Sequence, residues 1–523
     1  MALGKYAVDY EKRVDYDRLR KERLQRAKDQ INKDGLGAIV TWDEANIRYM
    51  TSYYVTTPLR LLEAQFVFCP GNGEPHLIGG GTPIEVERRM PWMKDRVHPP
   101  VGLAVLVILL FAGMWIGAAM AMVGFLGYAY ILGINPAFGM ISQIPFTTMA
   151  WYPLTCVPLF IFMGVVIFQS EVGKDLYKTA YTLVGQFKGG LAMATVIACA
   201  LFAAITGVSS PALATLGKVA VPEMKKYSYD EKLALGSLAC AGTTAFLIPP
   251  SVAFIIYGIL TETSIARLFM AGFFPGVLLT GLFIITIMII TAIRPTAGPA
   301  GPKTSLKQKI VAMKYTWPMV LLFLLVLGGI YGGVFTPTEA GAIGAFGAIV
   351  ISIIMRRLTF KKFLDAILEA GKTTAFIMLL IIGAYILMKF LAVSELTILL
   401  GRTVAQLPVP PMVIFAAIML LYIILGMFLD IMSAVILTIP VLFPVVIFLG
   451  FDPIWYGVIL VILIEMGLVT PPVGMDAFVL SGVTGMPLSS IFQGVAPFLL
   501  AAIVCIILLT IFPQIALFLP STM

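Results

Sequence analysis

From residue 101 onward the chain alternates long apolar runs with short polar ones; before that point the pattern is mixed and polar. Apolar segments occupy approximately 101–133, 153–169, 190–222, 233–260, 270–293, 316–333, 336–355, 373–393, 411–449, 453–482 and 491–519. A helix that crosses a bilayer needs about 20 such residues. The first run is too long for one upright span and predicts two short helices broken near Gly113–Trp115. In the head, residues 15–33 predict a charged surface helix with Leu19, Leu24, Ala27 and Ile31 as a thin apolar stripe, ended by Gly35. Residues 37–41, 66–69 and His76–Ile78 predict short strands. The composition breaks at Val97–Pro100, and no Asp, Glu, Lys or Arg occurs from Val97 to Ser170. A boundary there divides the chain into 1–98 and 99–523.

The breaks inside the apolar segments repeat. GVSSPALATLG (207–217) precedes LIPPSVAFIIYG (247–258), and GMFLDIMSAVILTIP (426–440) precedes VTPPVGMDAFVLSG (469–482). Each half therefore carries a polar interruption in one long segment and a Pro-Pro interruption in the next. Repeat one covers about 101–293 and repeat two about 316–519. Proline removes a backbone donor and clashes with the preceding turn, so a Pro-Pro pair stops a helix and frees carbonyls. Non-helical backbone at membrane depth is tolerated only where it is buried in protein or lines a cavity. Paired breaks in two halves point to a transporter's binding site.

Charge sets the expected sidedness. Lys174, Lys178 and Lys188 precede segment 190–222, and Lys218, Lys225, Lys226 and Lys232 follow it. Both ends belong in the cytoplasm by the positive-inside rule, which makes 190–222 a re-entrant hairpin entering from inside. Arg294, Lys303, Lys307, Lys309 and Lys314 place 294–314 in the cytoplasm, and Arg356, Arg357, Lys361 and Lys362 do the same for 356–362. One span, 373–393, then leads outward, so 411–449 enters from outside. Opposite entry is inverted-repeat symmetry. The runs 174–190 and 356–372 have the Leu/Ala/Phe spacing of interfacial helices.

Composition narrows the function. The chain has 523 residues, 59% hydrophobic and 12% charged, with a mean hydropathy of +0.95; soluble domains carry about 25% charged residues. Residues 1–100 hold 16 Lys+Arg and 14 Asp+Glu, leaving 20 and 14 for the other 423, and the net charge of +8 divides into +2 and +6. Membrane topology accounts for that basic excess, so no nucleic-acid partner is expected. Both histidines, His76 and His98, lie in the head, which excludes a Ser/His/Asp triad, a His-ligated metal and a His relay in the membrane part. The cysteines form no CxxC, and no GxxxxGK[ST] phosphate loop occurs. No secretory signal peptide is expected at Met1.

The first break offers Thr206, Gly207, Ser209, Ser210 and Pro211: hydroxyl and carbonyl oxygens beside a helix N-terminus. Such ends attract anions, and freed carbonyls coordinate sodium. Asp430 is the only charged residue of 411–449, and burying it costs several kcal/mol unless it is paired, protonated or beside a cation. The candidate ion- and substrate-binding set is Gly207, Ser209, Ser210, Thr243 and Pro249 in the first half, with Asp430, Ser433, Thr470, Pro471 and Gly474 in the second. Sodium, the expected coupling ion, belongs at the same tips; no other cofactor is expected. Glu465 is a candidate gating or packing carboxylate, and Asp476 is expected near an aqueous mouth.

GMFLDIMSAVILTIPVLFP (426–444), IEMGLVTPPVGMDAFVLSG (464–482), LIPPSVAFIIYGILTETSIARLFMAG (247–272) and VFTPTEAGAIGA (334–345) resemble the large membrane subunit of TRAP transporters, the tripartite ATP-independent periplasmic carriers, over about 101–523. The resemblance implies an all-α polytopic membrane protein with the inverted-repeat elevator fold of the ion-transporter superfamily and two re-entrant hairpins. It implies sodium-driven uptake, across a bacterial inner membrane, of an organic acid such as a dicarboxylate. It also implies two partners, a periplasmic solute-binding protein and a small four-helix membrane subunit. The alternative is a single-component sodium/carboxylate symporter of the same superfamily. The family's first tip reads Ser-Gly-Ser-Ser-like; here it is Thr206-Gly207-Val208-Ser209-Ser210, which leaves side-chain ligation there open. The family also lacks a head such as 1–100, a small α/β fragment. TWDEANIRYMTSY (41–53) after a helix and a strand resembles the start of the N-terminal domain of creatinase/aminopeptidase P-type proteins. That family's metal-binding catalytic domain does not follow, so the head is expected to be non-catalytic and the chain not an enzyme.

Overall fold

A computed structural model describes residues 25–30, 32–34, 38–41, 66–70, 76–78, 99–394, 396–405 and 408–523. The chain divides into two compact units, Met1–His98 and Pro99–Met523. In the first, residues 25–30 and 32–33 are helical. Strands β1 (Ala38–Thr41), β2 (Phe66–Pro70) and β3 (His76–Ile78) form an antiparallel sheet in that order, with Ile39 opposite Cys69 and Val67 opposite Leu77. The creatinase-like run 42–53 lies outside the described residues.

The second unit is built from helices, and eight of those described are long and apolar enough to cross a membrane. The first apolar run forms two helices, α1 (Pro99–Phe111) and α2 (Ile116–Leu132), broken at Gly113 with φ +83°. Helix α3 (Ile134–Met149) occupies a stretch that its Pro136, Pro145 and Gln143 disguise as a connection. Helices α4 (Cys156–Gln169) and α5 (Val172–Val184) follow. Helix α5 buries Val172, Leu176, Tyr177 and Ala180 against protein and exposes Lys174 and Lys178.

The two halves then repeat their element order. Helices α6 (Gly190–Thr206) and α7 (Ser209–Lys226) are parted by two residues; α8 (Glu231–Thr243) and α9 (Val252–Thr261) are parted by the Pro249-Pro250 break; the long α10 (Ile265–Ile293) follows. Helix α11 (Leu306–Tyr331), which contains a π turn at Leu324–Gly328, leads to α12 (Pro337–Ile354), α13 (Phe360–Ser394) and α14 (Leu396–Ala405). Helices α15 (Pro411–Phe428) and α16 (Ile431–Phe448) are again parted by two residues, α17 (Pro453–Leu468) and α18 (Met475–Thr484) by the Pro471-Pro472 break. The long α19 (Leu488–Ile511) and α20 (Gln514–Ser521) end the chain's described part. Both Pro-Pro peptide bonds are cis.

One expectation is corrected here. Residues 360–372 of the expected interfacial helix 356–372 and the span 373–393 are a single 35-residue helix, α13 (Phe360–Ser394), while 356–359 are not helical. No proline interrupts Phe360–Ser394, and its one early glycine, Gly371, costs a helix only about 1 kcal/mol.

Between helices that lie in an apolar solvent, association rests on close packing and small residues more than on water exclusion. Helix α2 runs along α13 and α4 along α12, joining the halves. Helix α8 runs along α19, where a Cβ on Gly236 would lie 2.1 Å from the Gly494 carbonyl oxygen. No side chain fits between those backbones. Buried polar groups add sparse cross-links: Ser170 Oγ donates to Ser352 Oγ at 2.7 Å, and Trp455 Nε1 donates to the Leu509 carbonyl at 2.8 Å.

Candidate functional site

Each polar break packs against the Pro-Pro break of its own half. Gly207 sits at φ +61°, and a Cβ there would lie 2.6 Å from the Pro250 carbonyl oxygen. Glycine is required twice over, by the left-handed conformation and by the approach. In the second half, Gly474 at φ +63° donates its N–H to the Met427 carbonyl at 3.1 Å. The Phe246 carbonyl, whose helical donor would be the N–H that Pro250 lacks, is taken up locally. Ser251 Oγ donates to the Phe246 carbonyl at 2.5 Å while accepting from the Phe254 N–H at the start of α9. Thr470 Oγ1 donates to the Met466 carbonyl at 2.6 Å.

All four breaks meet at one cavity of about 200 Å³. Val208 and Ser209 come from the first polar break, Asp430, Ile431 and Met432 from the second. Phe246 and Val252 flank the first Pro-Pro pair, and Leu468, Met475 and Asp476 flank the second. Helix α13 closes one side with Thr373, Phe376 and Ile377.

Two carboxylates face this cavity in different ways. Asp430 is the N-cap of α16: its Oδ2 accepts from the Met432 and Ser433 N–H groups at 3.1 and 3.2 Å. It thereby satisfies two of the donors a helix start leaves orphaned and places negative charge at the positive end of the dipole. Asp476 is buried at 4% exposure. Its Oδ1 accepts from Ser209 Oγ at 3.0 Å, joining the two halves across 267 positions of sequence, while Oδ2 makes no hydrogen bond among the described residues. The expectation of an aqueous mouth at Asp476 is corrected: the turn of α18 after Gly474 carries this side chain inward against the first break.

The sequence-predicted residues divide between two places. Ser209 and Asp430 line the cavity. Gly207 and Gly474 hold the breaks beside it, and Ser433, buried with its Oγ unpartnered, lies one turn into α16. Ser210 follows Ser209 in α7, and its side chain lies outside the described residues. Thr243 and Glu465 line a separate void of about 10 Å³ between α8, α10, α17 and α19, room for about one water. Glu465 is 2% exposed and lies beside the Phe246 backbone. Pro249 is buried, whereas Thr470 and Pro471 are half-buried and exposed; none of the three lines the larger cavity. Sequence reasoning missed Phe246, Thr373 and Phe376. Phe246 was within reach, three residues before Pro249; the α13 residues carry no local signal.

Apolar spans, duplicated element order and two broken-helix pairs converging on one cavity define a multi-pass membrane transport protein. Residues 103–515 match the family described as "Tripartite ATP-independent periplasmic transporter, DctM component", and the chain belongs to that family. It is similar to the C4-dicarboxylate TRAP transporter large permease protein DctM of Pseudomonas aeruginosa, 35% identical over 72% of this chain and 88% of that one. The isethionate TRAP transporter permease protein DctMQ of Oleidesulfovibrio alaskensis is 30% identical over 81% of this chain and 70% of its own. In fold the chain is similar to the Alcanivorax borkumensis YdaH transporter, with a TM-score of 0.54 at 15% identity, covering 74% of this chain and 88% of that one. Members of the family are transporters and not enzymes.

Proposed function

We propose that the chain is the large permease subunit of a sodium-driven secondary transporter that imports an organic acid across a bacterial inner membrane. The observation that carries this reading is the convergence of all four helix breaks, with Asp430 and Asp476, on one cavity. In this reading 190–222 and 411–449 are re-entrant hairpins entering from opposite sides. Sodium binds at their tips among the oxygens of Gly207, Ser209, Asp430 and neighbouring backbone. Asp430 and Asp476 supply the negative charge that a cation must meet on leaving water. The core that carries the cavity moves against the α2, α4, α12 and α13 scaffold in an elevator stroke, exposing the site to each side in turn. A periplasmic binding protein delivers the acid, and a small four-helix membrane subunit completes the assembly; C4-dicarboxylates and isethionate, named for two relatives, set the class of cargo.

Proteoliposomes holding this chain and a small subunit test the tripartite arrangement. Isotope-labelled acid is expected to enter only when a loaded binding protein is supplied on the outside. Equal uptake of the free acid without any binding protein would favour a single-component symporter instead.

A further inference from the structure

The segment that joins the two repeats carries charge that the fold leaves unbalanced. Residues 294–314 run from the end of α10 into the first turns of α11 and hold Arg294, Lys303, Lys307, Lys309 and Lys314 with no Asp or Glu. Elsewhere in the same unit Lys174, Lys226, Arg357 and Lys362 are paired with carboxylates. None of the five makes an ion pair among the described residues. Their backbone is nonetheless fixed. The Gly189 and Asp230 N–H groups donate to the Gly298 and Ala297 carbonyls at 2.8 and 2.9 Å, and Tyr229 Oη donates to the Pro299 carbonyl at 2.9 Å. Thr304 Oγ1 donates to the Thr182 carbonyl at 2.8 Å, and Thr179 Oγ1 to the Ala312 carbonyl at 3.0 Å. The cations therefore stand on a built surface, tied to α5 and to the segments that flank α6 and α7.

The first turns of α11 add a second feature. Leu306, Ile310, Met313 and Trp317 fall at i, i+4, i+7 and i+11, one face of a helix, and all four are exposed. Ala312 is buried on the other side, against α5. Lys307 and Lys314 each follow a member of the exposed stripe and flank it. An apolar stripe bordered by lysines suits a helix lying at the boundary of headgroups and acyl chains. A cluster of basic residues beside the cytoplasmic end of a span attracts anionic lipid.

We infer that 294–314 is a docking site for an anionic phospholipid, its phosphate meeting Lys303, Lys307 and Lys314 and its acyl chains lying along Leu306, Ile310, Met313 and Trp317. A neutral phospholipid offers the stripe the same chains but brings the lysines no net charge. A soluble phosphate brings the charge and leaves the stripe uncovered. Only an anionic lipid satisfies both features. The site is independent of cargo and coupling ion, so its failure leaves the transport reading standing.

The test titrates phosphatidylglycerol, phosphatidylcholine and glycerol 3-phosphate onto the purified full chain in a neutral detergent, reading equilibrium binding and the thermal midpoint. Phosphatidylglycerol is expected to raise the midpoint and to bind about tenfold or more tighter than phosphatidylcholine, with an affinity that falls as salt is added. Glycerol 3-phosphate at the same concentration is expected not to displace it. Replacing four lysines together (Lys303→Gln, Lys307→Gln, Lys309→Gln and Lys314→Gln) is expected to remove the preference, while arginine at the same four positions keeps it. Neutralising four exposed lysines elsewhere (Lys218→Gln, Lys225→Gln, Lys361→Gln and Lys372→Gln) is expected to leave the preference in place. Equal binding of phosphatidylcholine, displacement by glycerol 3-phosphate, or a preference that survives the first set of glutamines overturns the inference. So does an equal loss in the second set, which would make the attraction a property of overall charge.

Discussion

Asp430 combines two roles that substitution can separate. Its carboxylate caps α16 and also brings charge to the cavity. Asparagine caps a helix about as well as aspartate, whereas alanine loses the cap at a cost of about 0.5–2 kcal/mol. Asp430→Asn is therefore expected to unfold at nearly the wild-type temperature yet lose most transport, and Asp430→Ala to lose both. Near-normal uptake by an inserted Asp430→Asn protein would reduce the residue to a cap. Away from the cavity, Glu171 pairs with Lys174 at 2.5 Å, with Lys362 at 3.8 Å. The Lys174 hydrogen bond and charge hold the Glu171 carboxyl below its ordinary value. A depressed carboxyl stabilises the fold above its unfolded value and loses that contribution as pH falls through the folded one. Both partners are more than half exposed, so screening leaves less than about 1 kcal/mol. Glu171→Gln should shift the thermal midpoint little at pH 7 and not at all at strongly acidic pH; a large shift that persists in acid would contradict this. Residue-scale chemistry was only partly legible in the sequence. Asp430 announced itself as a lone charge in an apolar run. The bond between Ser209 and Asp476 did not, because no local pattern links residues in opposite repeats.

At the scale of elements, local chemistry predicted where helices stop better than where they continue. Gly113 and the two Pro-Pro pairs marked real breaks. The proline-bearing α3 was passed over because its prolines and polar residues mimic a connection, yet a Pro near each end leaves most of its turns bonded. Conversely, Lys-rich 356–372 read as a separate interfacial helix because its polarity changes near Lys372, although nothing there breaks the backbone. Sidedness is the open element-scale expectation. If α6 and α7 form a re-entrant hairpin, their outer ends share a compartment. Single cysteines replacing the exposed Lys188 and Lys226 should both react with an impermeant maleimide only from the cytoplasmic side. Labelling of the two from opposite sides would make α6 and α7 together a single broken span and remove the re-entrant reading.

For the whole molecule, the division at His98 raises a question of orientation. The head is rich in Lys and Arg, which favours the cytoplasm. The inverted topology proposed above, however, would start the mirror partners of α11 and α12 on the outside. The two demands are compatible if the head is dispensable to transport. A chain beginning near Pro100 with a new initiator Met should insert and transport as well as the full one. Loss of uptake at normal insertion levels would make the head functional.

The central claim is that converging helix breaks form the sodium-coupled site of a secondary transporter. Its most direct measurement is the initial rate of isotope-labelled acid uptake into proteoliposomes containing this chain, with the small subunit and a loaded binding protein supplied. The internal medium is potassium-based, and the external cation is either sodium or potassium. An inward sodium gradient is expected to drive accumulation that is nearly absent in external potassium and insensitive to a proton uncoupler when the membrane potential is clamped. Uptake that is unchanged in potassium but collapses with the uncoupler under the same clamp would contradict the account.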